Sequence, residues 1–130
     1  MRALGAKLKN YLVPGDVVLL EGELGAGKTT IVRGLMEALG VVEPVRSPTF
    51  NLIQVFETQP PVMHCDLYRV QNGFGIGLED YLEDHICLIE WPDRATDFVN
   101  PGECWRITIE FSGEGRIVTV ASPNAQFTYP

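Results

Sequence analysis

Positive charge is scarce in this chain. Ten lysines and arginines stand against seventeen aspartates and glutamates, a formal balance of −7, so no broad basic face is available to grip a phosphate backbone. DNA is not expected as a partner, and RNA only through another protein that holds it. Long apolar runs are missing too. Nothing approaches the roughly 20 residues that a membrane span needs. The opening R-A-L-G-A-K-L-K-N-Y-L lacks the apolar core and cleavage signal of a secretory leader. Only three cysteines occur, Cys65, Cys87 and Cys104, and no two share a C-x-x-C spacing. They read as reduced small hydrophobes of a cytoplasmic protein, not as a disulfide or metal framework. Also absent are N-K-x-D and D-x-x-G, which weighs against a guanine-reading GTPase.

What is present suits one α/β domain. Hydrophobic residues make up 45% of 130 residues, enough for a single core, expected over residues 1–122 with a frayed tail at 123–130. Leu4, Leu8 and Leu12 have helical spacing over residues 3–12, and Pro14-Gly15 ends that helix. V-V-L-L is a short continuous apolar run, the mark of a buried strand. Ile31, Leu35 and Leu39, with Val32 and Met36 beside them, give one face of a helix from Lys28, and Gly40 follows as its left-handed cap. T-F-N-L-I-Q-V-F, V-M-H-C-D-L-Y and I-C-L-I-E-W are further strands, with a turn or two of helix over Leu78–Glu83. W-R-I-T-I-E-F and R-I-V-T-V-A alternate with period two around S-G-E-G, which predicts a C-terminal antiparallel hairpin. The expected architecture is a three-layer sandwich around a small, mostly parallel sheet.

Between the first buried strand and the following helix lies G-E-L-G-A-G-K-T-T, residues Gly22, Glu23, Leu24, Gly25, Ala26, Gly27, Lys28, Thr29 and Thr30. It satisfies G-x-x-x-x-G-K-[ST], the phosphate-binding loop, in the required strand-to-helix context. Bare glycines let consecutive backbone N–H groups close around phosphate oxygens, and the helix start adds its dipole. Lys28 reaches toward β/γ-phosphates and the Thr29 hydroxyl toward a Mg²⁺ that bridges them.

Such a site also calls for a carboxylate at the end of a neighbouring strand. Glu90 ends I-C-L-I and Asp66 ends V-M-H-C. Both fit, which suggests one for the metal and one for the attacking water or the γ-phosphate, with the assignment open. Thr49, in S-P-T-F, stands where a switch residue approaches the ion. His64 reads as a half-buried strand residue before a general base, and Trp91 equally as core or as a cover for the nucleotide.

Taken in order, G-E-L-G-A-G-K-T-T, S-P-T-F, H-C-D-L-Y-R and L-I-E-W-P-D-R resemble the TsaE family, bacterial ATPases that assist tRNA threonylcarbamoyladenosine biosynthesis. The likeness covers about residues 12 to 120. It implies a small P-loop fold that takes ATP and Mg²⁺, binds a complex of TsaD and TsaB, and supports threonylcarbamoyl transfer to adenosine 37 of tRNA by that complex. By the same resemblance Lys28 and Thr29 are the loop lysine and magnesium threonine, and Thr49 the switch threonine. Asp66 and Glu90 become the acids of the D-L-Y-R and E-W-P blocks, Trp91, Pro92, Asp93 and Arg94 a nucleotide-side loop, and Arg116 a basic position near the C-terminus. The chain departs from the family in starting almost inside its first helix, where relatives carry residues that help to cover the base, and in the glycine-rich Q-N-G-F-G-I-G. Two other readings stay on the table: a nucleotide-gated binding module whose hydrolysis is incidental, and a small-molecule kinase, for which the chain has no length for lid and acceptor domains.

Overall fold

The structure is a computed structural model and describes residues 2–22, 27–41, 53–66, 78–90 and 101–123. Thr49, the loop residues Glu23 to Ala26, the segment Trp91 to Arg94, the Q-N-G-F-G-I-G stretch and residues 124–130 lie outside that set. The elements run α1 (Arg2–Leu8), β1 (Val17–Gly22), α2 (Lys28–Ala38), β2 (Ile53–Phe56), β3 (Val62–Asp66), β4 (Ile86–Glu90), β5 (Trp105–Ser112) and β6 (Gly115–Ala121). A short 3-10 turn at Leu78–Tyr81 precedes β4.

All six strands form one sheet in the order β2-β3-β4-β1-β5-β6. The inner four are parallel to their neighbours, and β2 and β6 pair antiparallel at the two edges. Parallel strands are covered on both faces and therefore read as unbroken apolar runs. Val17 to Leu20 and Ile86 to Ile89 are buried at every position. Alternate residues sort between the faces. Val18, Leu20, Val62, Ile86, Leu88, Ile107 and Ile109 meet Leu4, Leu8, Ile31, Val32, Leu35 and Met36 of the helical layer. Val17, Leu19, Met63, Cys65, Cys87 and Ile89 line the opposite face, against which Tyr81 and Leu82 pack. β5 shows the period-two pattern, with Trp105, Ile107 and Ile109 buried and Arg106 and Glu110 exposed.

Glycine fixes the helical layer. A Cβ on Gly34 would overlap the backbone carbonyl oxygen of Arg2, and one on Gly5 that of Ile31, so α1 and α2 cross backbone to backbone. Gly40 sits at φ 86 and closes α2. Its N–H donates to the Glu37 carbonyl at 3.0 Å and the Val41 N–H to the Met36 carbonyl at 2.9 Å, the paired bonds of a Schellman cap. The expected helix over residues 3–12 is shorter: it stops at Leu8, and Leu12, still buried, follows a turn in which its N–H bonds Leu8. The turn or two expected over Leu78–Glu83 is a single 3-10 turn ending at Tyr81, because the chain must reach the buried start of β4 within a few residues.

Two outcomes follow. Gly34→Ala should lower stability by about 1–3 kcal/mol, the usual penalty of overpacking, read as a lower urea midpoint. Burial pushes the Cys65 and Cys87 thiols up to about 12, with the neighbouring Asp66 adding to the effect on Cys65. A raised thiol pKa means less thiolate at every pH below it. At pH 8 both should resist iodoacetamide in the native protein and react on unfolding; mass spectrometry of the alkylated chain reads the difference.

Candidate functional site

β1 ends at Gly22 and α2 begins at Lys28, so the glycine loop joins the carboxyl end of a central strand to a helix N-terminus. Gly27 caps that helix at φ 118, a conformation side chains rarely adopt. Its carbonyl accepts the first helical bond, from the Ile31 N–H at 3.1 Å. Lys28 is buried although charged, 5% exposed, and its Nζ donates to the Gly22 carbonyl at 2.8 Å. The ammonium is thereby held across the two ends of the loop. Thr29 and Thr30 follow in the first turn of α2, partly buried.

The two acids stand side by side. Asp66 pairs with Glu90 across β3 and β4, and Glu90 pairs with Leu20 across β4 and β1. Both sit at the carboxyl ends of their strands, where open α/β sheets bind ligands. Alternation along β4 from Ile86 and Leu88 puts Glu90 on the face that carries α2, and along β3 from Val62 it puts His64 and Asp66 there as well. Glu90 is 4% exposed and His64 is fully buried. Their side chains meet: His64 Nε2 lies 2.7 Å from Glu90 Oε2. The half-buried histidine expected from sequence is therefore a core residue tied to the acid. Sequence alternation puts His64 on the face of Asp66, but its place beside Glu90 depends on the strand order.

No three His, Cys, Asp or Glu side chains converge on one point among the described residues. What the site does offer are oxygens, from the Thr29 hydroxyl and from two adjacent carboxylates. Magnesium fits that donor set, because it prefers oxygen and is held by one or two carboxylates together with water and substrate phosphates. Arg116 lies beyond this cluster on the β5–β6 hairpin. It pairs with Phe111, two residues past the Gly22–Ile109 pair, and its guanidinium stacks on the Phe111 ring at 5.0 Å from the centroid. It is at the same end of the sheet as the glycine loop. Lys28, Thr29, Asp66 and Glu90 are thus gathered at one edge, with Gly22, Gly27 and Thr30 framing them.

Buried strand, left-handed glycine, helix-start lysine and acids on the adjacent strand ends define a small P-loop NTPase-like protein. Comparisons agree. The structure matches the crystal structure of YdiB from Bacillus subtilis with a TM-score of 0.77 and 33% identity, over 95% of this chain and 79% of that one. A tRNA threonylcarbamoyladenosine biosynthesis protein TsaE from Streptomyces coelicolor is 45% identical over 104 residues, 75% of this chain and 70% of that protein. One of the same name from Nostoc is 41% identical over 120 residues, 86% of this chain and 73% of that protein. The family model for threonylcarbamoyl adenosine biosynthesis protein TsaE matches residues 1–118. The chain belongs to the TsaE family.

Gly27→Ala should cost at least about 1 kcal/mol of stability, since a Cβ opposes positive φ. Gly40→Ala, where nothing lies within 4 Å of the added carbon, isolates the same backbone term away from the loop. Comparing the two urea midpoints measures what crowding at the loop adds.

Proposed function

We propose that the chain binds ATP with Mg²⁺ at the β1–α2 loop and hydrolyses it in support of threonylcarbamoyl transfer to adenosine 37 of tRNA, carried out by a TsaB–TsaD partner complex. One observation carries the chemistry: a buried lysine at a helix start shares an edge and a face with two neighbouring strand-end carboxylates. The family relationship supplies the biological setting.

In this reading the N-terminal end of α2 and Lys28 neutralise the triphosphate. The Lys28 ammonium exchanges its Gly22 carbonyl for phosphate oxygens. Thr29 and one of the two acids would hold the magnesium, which would draw charge off the triphosphate. The other acid orients the water that attacks the γ-phosphate in line. Among the described arginines, Arg116 stacks on Phe111 and Arg106 pairs with Glu21 at 3.3 Å. In this reading turnover by the isolated chain is slow, and the partner complex completes the site and raises it. tRNA is met through the partners, as the −7 balance suits. No described helix is long and apolar enough to cross a membrane.

Phosphate release by the purified chain, alone and with TsaB–TsaD, tests the proposal. Stimulation by the partners is expected. Lys28→Ala should abolish magnesium-dependent uptake of an ATP analogue in calorimetry. Glu90→Ala should lose about 10²-fold or more in turnover, the scale of a lost acid–base group; uptake retained assigns Glu90 to the water, and uptake lost assigns it to the metal. Full activity of Glu90→Ala, with no response to the partners, would sink the reading. Restoration of modified tRNA over many turnovers by a non-hydrolysable analogue would instead make the chain a nucleotide-gated module.

A further inference from the structure

We propose that His64 is a positioning residue for Glu90, donating its Nε2–H to Oε2 and leaving Oε1 as the oxygen presented at the site edge. What Oε1 then does rests on the ATP reading above; the hydrogen bond itself does not.

Burial sets the terms. His64 is 0% and Glu90 4% exposed, and a carboxylate withdrawn from water needs a donor to offset its lost hydration. The pairing His64 with Leu88 and Asp66 with Glu90 makes His64 and Glu90 diagonal neighbours on adjacent strands, within reach of long side chains. The observed 2.7 Å separation is that of a charge-assisted bond.

The other ring nitrogen identifies the tautomer. His64 Nδ1 is buried and has no hydrogen-bond partner. A proton there would bury an unsatisfied N–H and turn a bare lone pair toward the Glu90 carboxylate. A proton on Nε2 satisfies the carboxylate and leaves only a lone pair unmatched, the cheaper orphan. Gln54, the residue paired with His64 across β2 and β3, carries the other buried unpartnered side-chain atom among the described residues, its Oε1. No hydrogen bond joins the two side chains. Because the ring has no exposed surface, it cannot touch water or substrate and acts only through Glu90. Fixing one oxygen removes rotamers from a glutamate side chain that otherwise samples several, as partners behind metal-site carboxylates do elsewhere.

Two variants and one spectrum test this. His64→Phe keeps a ring and removes the donor; His64→Gln keeps an N–H donor. In the phosphate-release assay with the partner complex, His64→Phe should lower kcat about 10- to 100-fold while KM for ATP moves less than about threefold. His64→Gln should recover most of the loss. Within a Glu90→Gln background His64→Phe should cost little more, because paired residues are non-additive. The chain has two histidines, so ¹⁵N NMR of the ligand-free protein, assigned with His85→Gln, reads the tautomer directly. His64 protonated on Nε2, with a shift that moves on Glu90→Gln, is expected. An Nδ1-protonated ring, unchanged kcat in His64→Phe, or an equal loss in both backgrounds overturns the proposal. Should His64→Phe fail to fold, the wild-type spectrum decides. Should no ATP turnover be found at all, the functional reading fails while the spectrum still judges the His64–Glu90 bond.

Discussion

A parallel strand covered on both faces has no solvent side on which to place a charge. β1 and β4 obey that constraint by spending four apolar residues each before their first acid, Glu21 and Glu90. Polar chemistry is thereby driven to the carboxyl ends of the strands, where coverage by α2 gives way to the loop that precedes it. The position of the site is a consequence of how the core is filled. Glu90 and Lys28, together with His64, are the buried polar or charged residues of the described chain, and they collect at that one boundary.

Each of the three is tolerated for a different reason. Lys28 finds a backbone carbonyl at the start of its own loop, and Glu90 finds a histidine from the next strand. His64 is carried inside by strand alternation and is matched on one nitrogen only. A residue that leaves a polar atom unmatched in the core is an expense that packing alone does not explain, since an apolar residue of similar volume would remove the orphan. Asp66, beside Glu90, keeps partial exposure to solvent.

Much of this was legible in the sequence, and for physical reasons. V-V-L-L and I-C-L-I announce doubly covered strands, the β5–β6 hairpin shows itself by alternation, and G-x-x-x-x-G-K-[ST] is a backbone requirement written in glycine. Gly40 is likewise a conformational demand that a single residue betrays. Less visible was anything that depends on which strands become neighbours. The order β2-β3-β4-β1-β5-β6 brings Asp66 beside Glu90 and sets His64 diagonal to it, and no local pattern carries that information. α1 was overestimated because Leu12 keeps helical spacing while being buried from a turn. Leu78–Tyr81 tightened to a 3-10 turn because tertiary packing, with Tyr81 against the sheet, outweighs a weak local preference.

The glycine contacts between the two helices bear on more than stability. Side-chain interfaces slip by exchanging rotamers, but where Gly5 meets the Ile31 carbonyl and Gly34 meets that of Arg2, there are no rotamers to exchange. The first helix and the helix that follows the glycine loop are therefore fixed against each other, with no side chain between them to take up slack. The lean of the helix that begins at Lys28 is thus set by backbone against backbone, at Gly5 and Gly34.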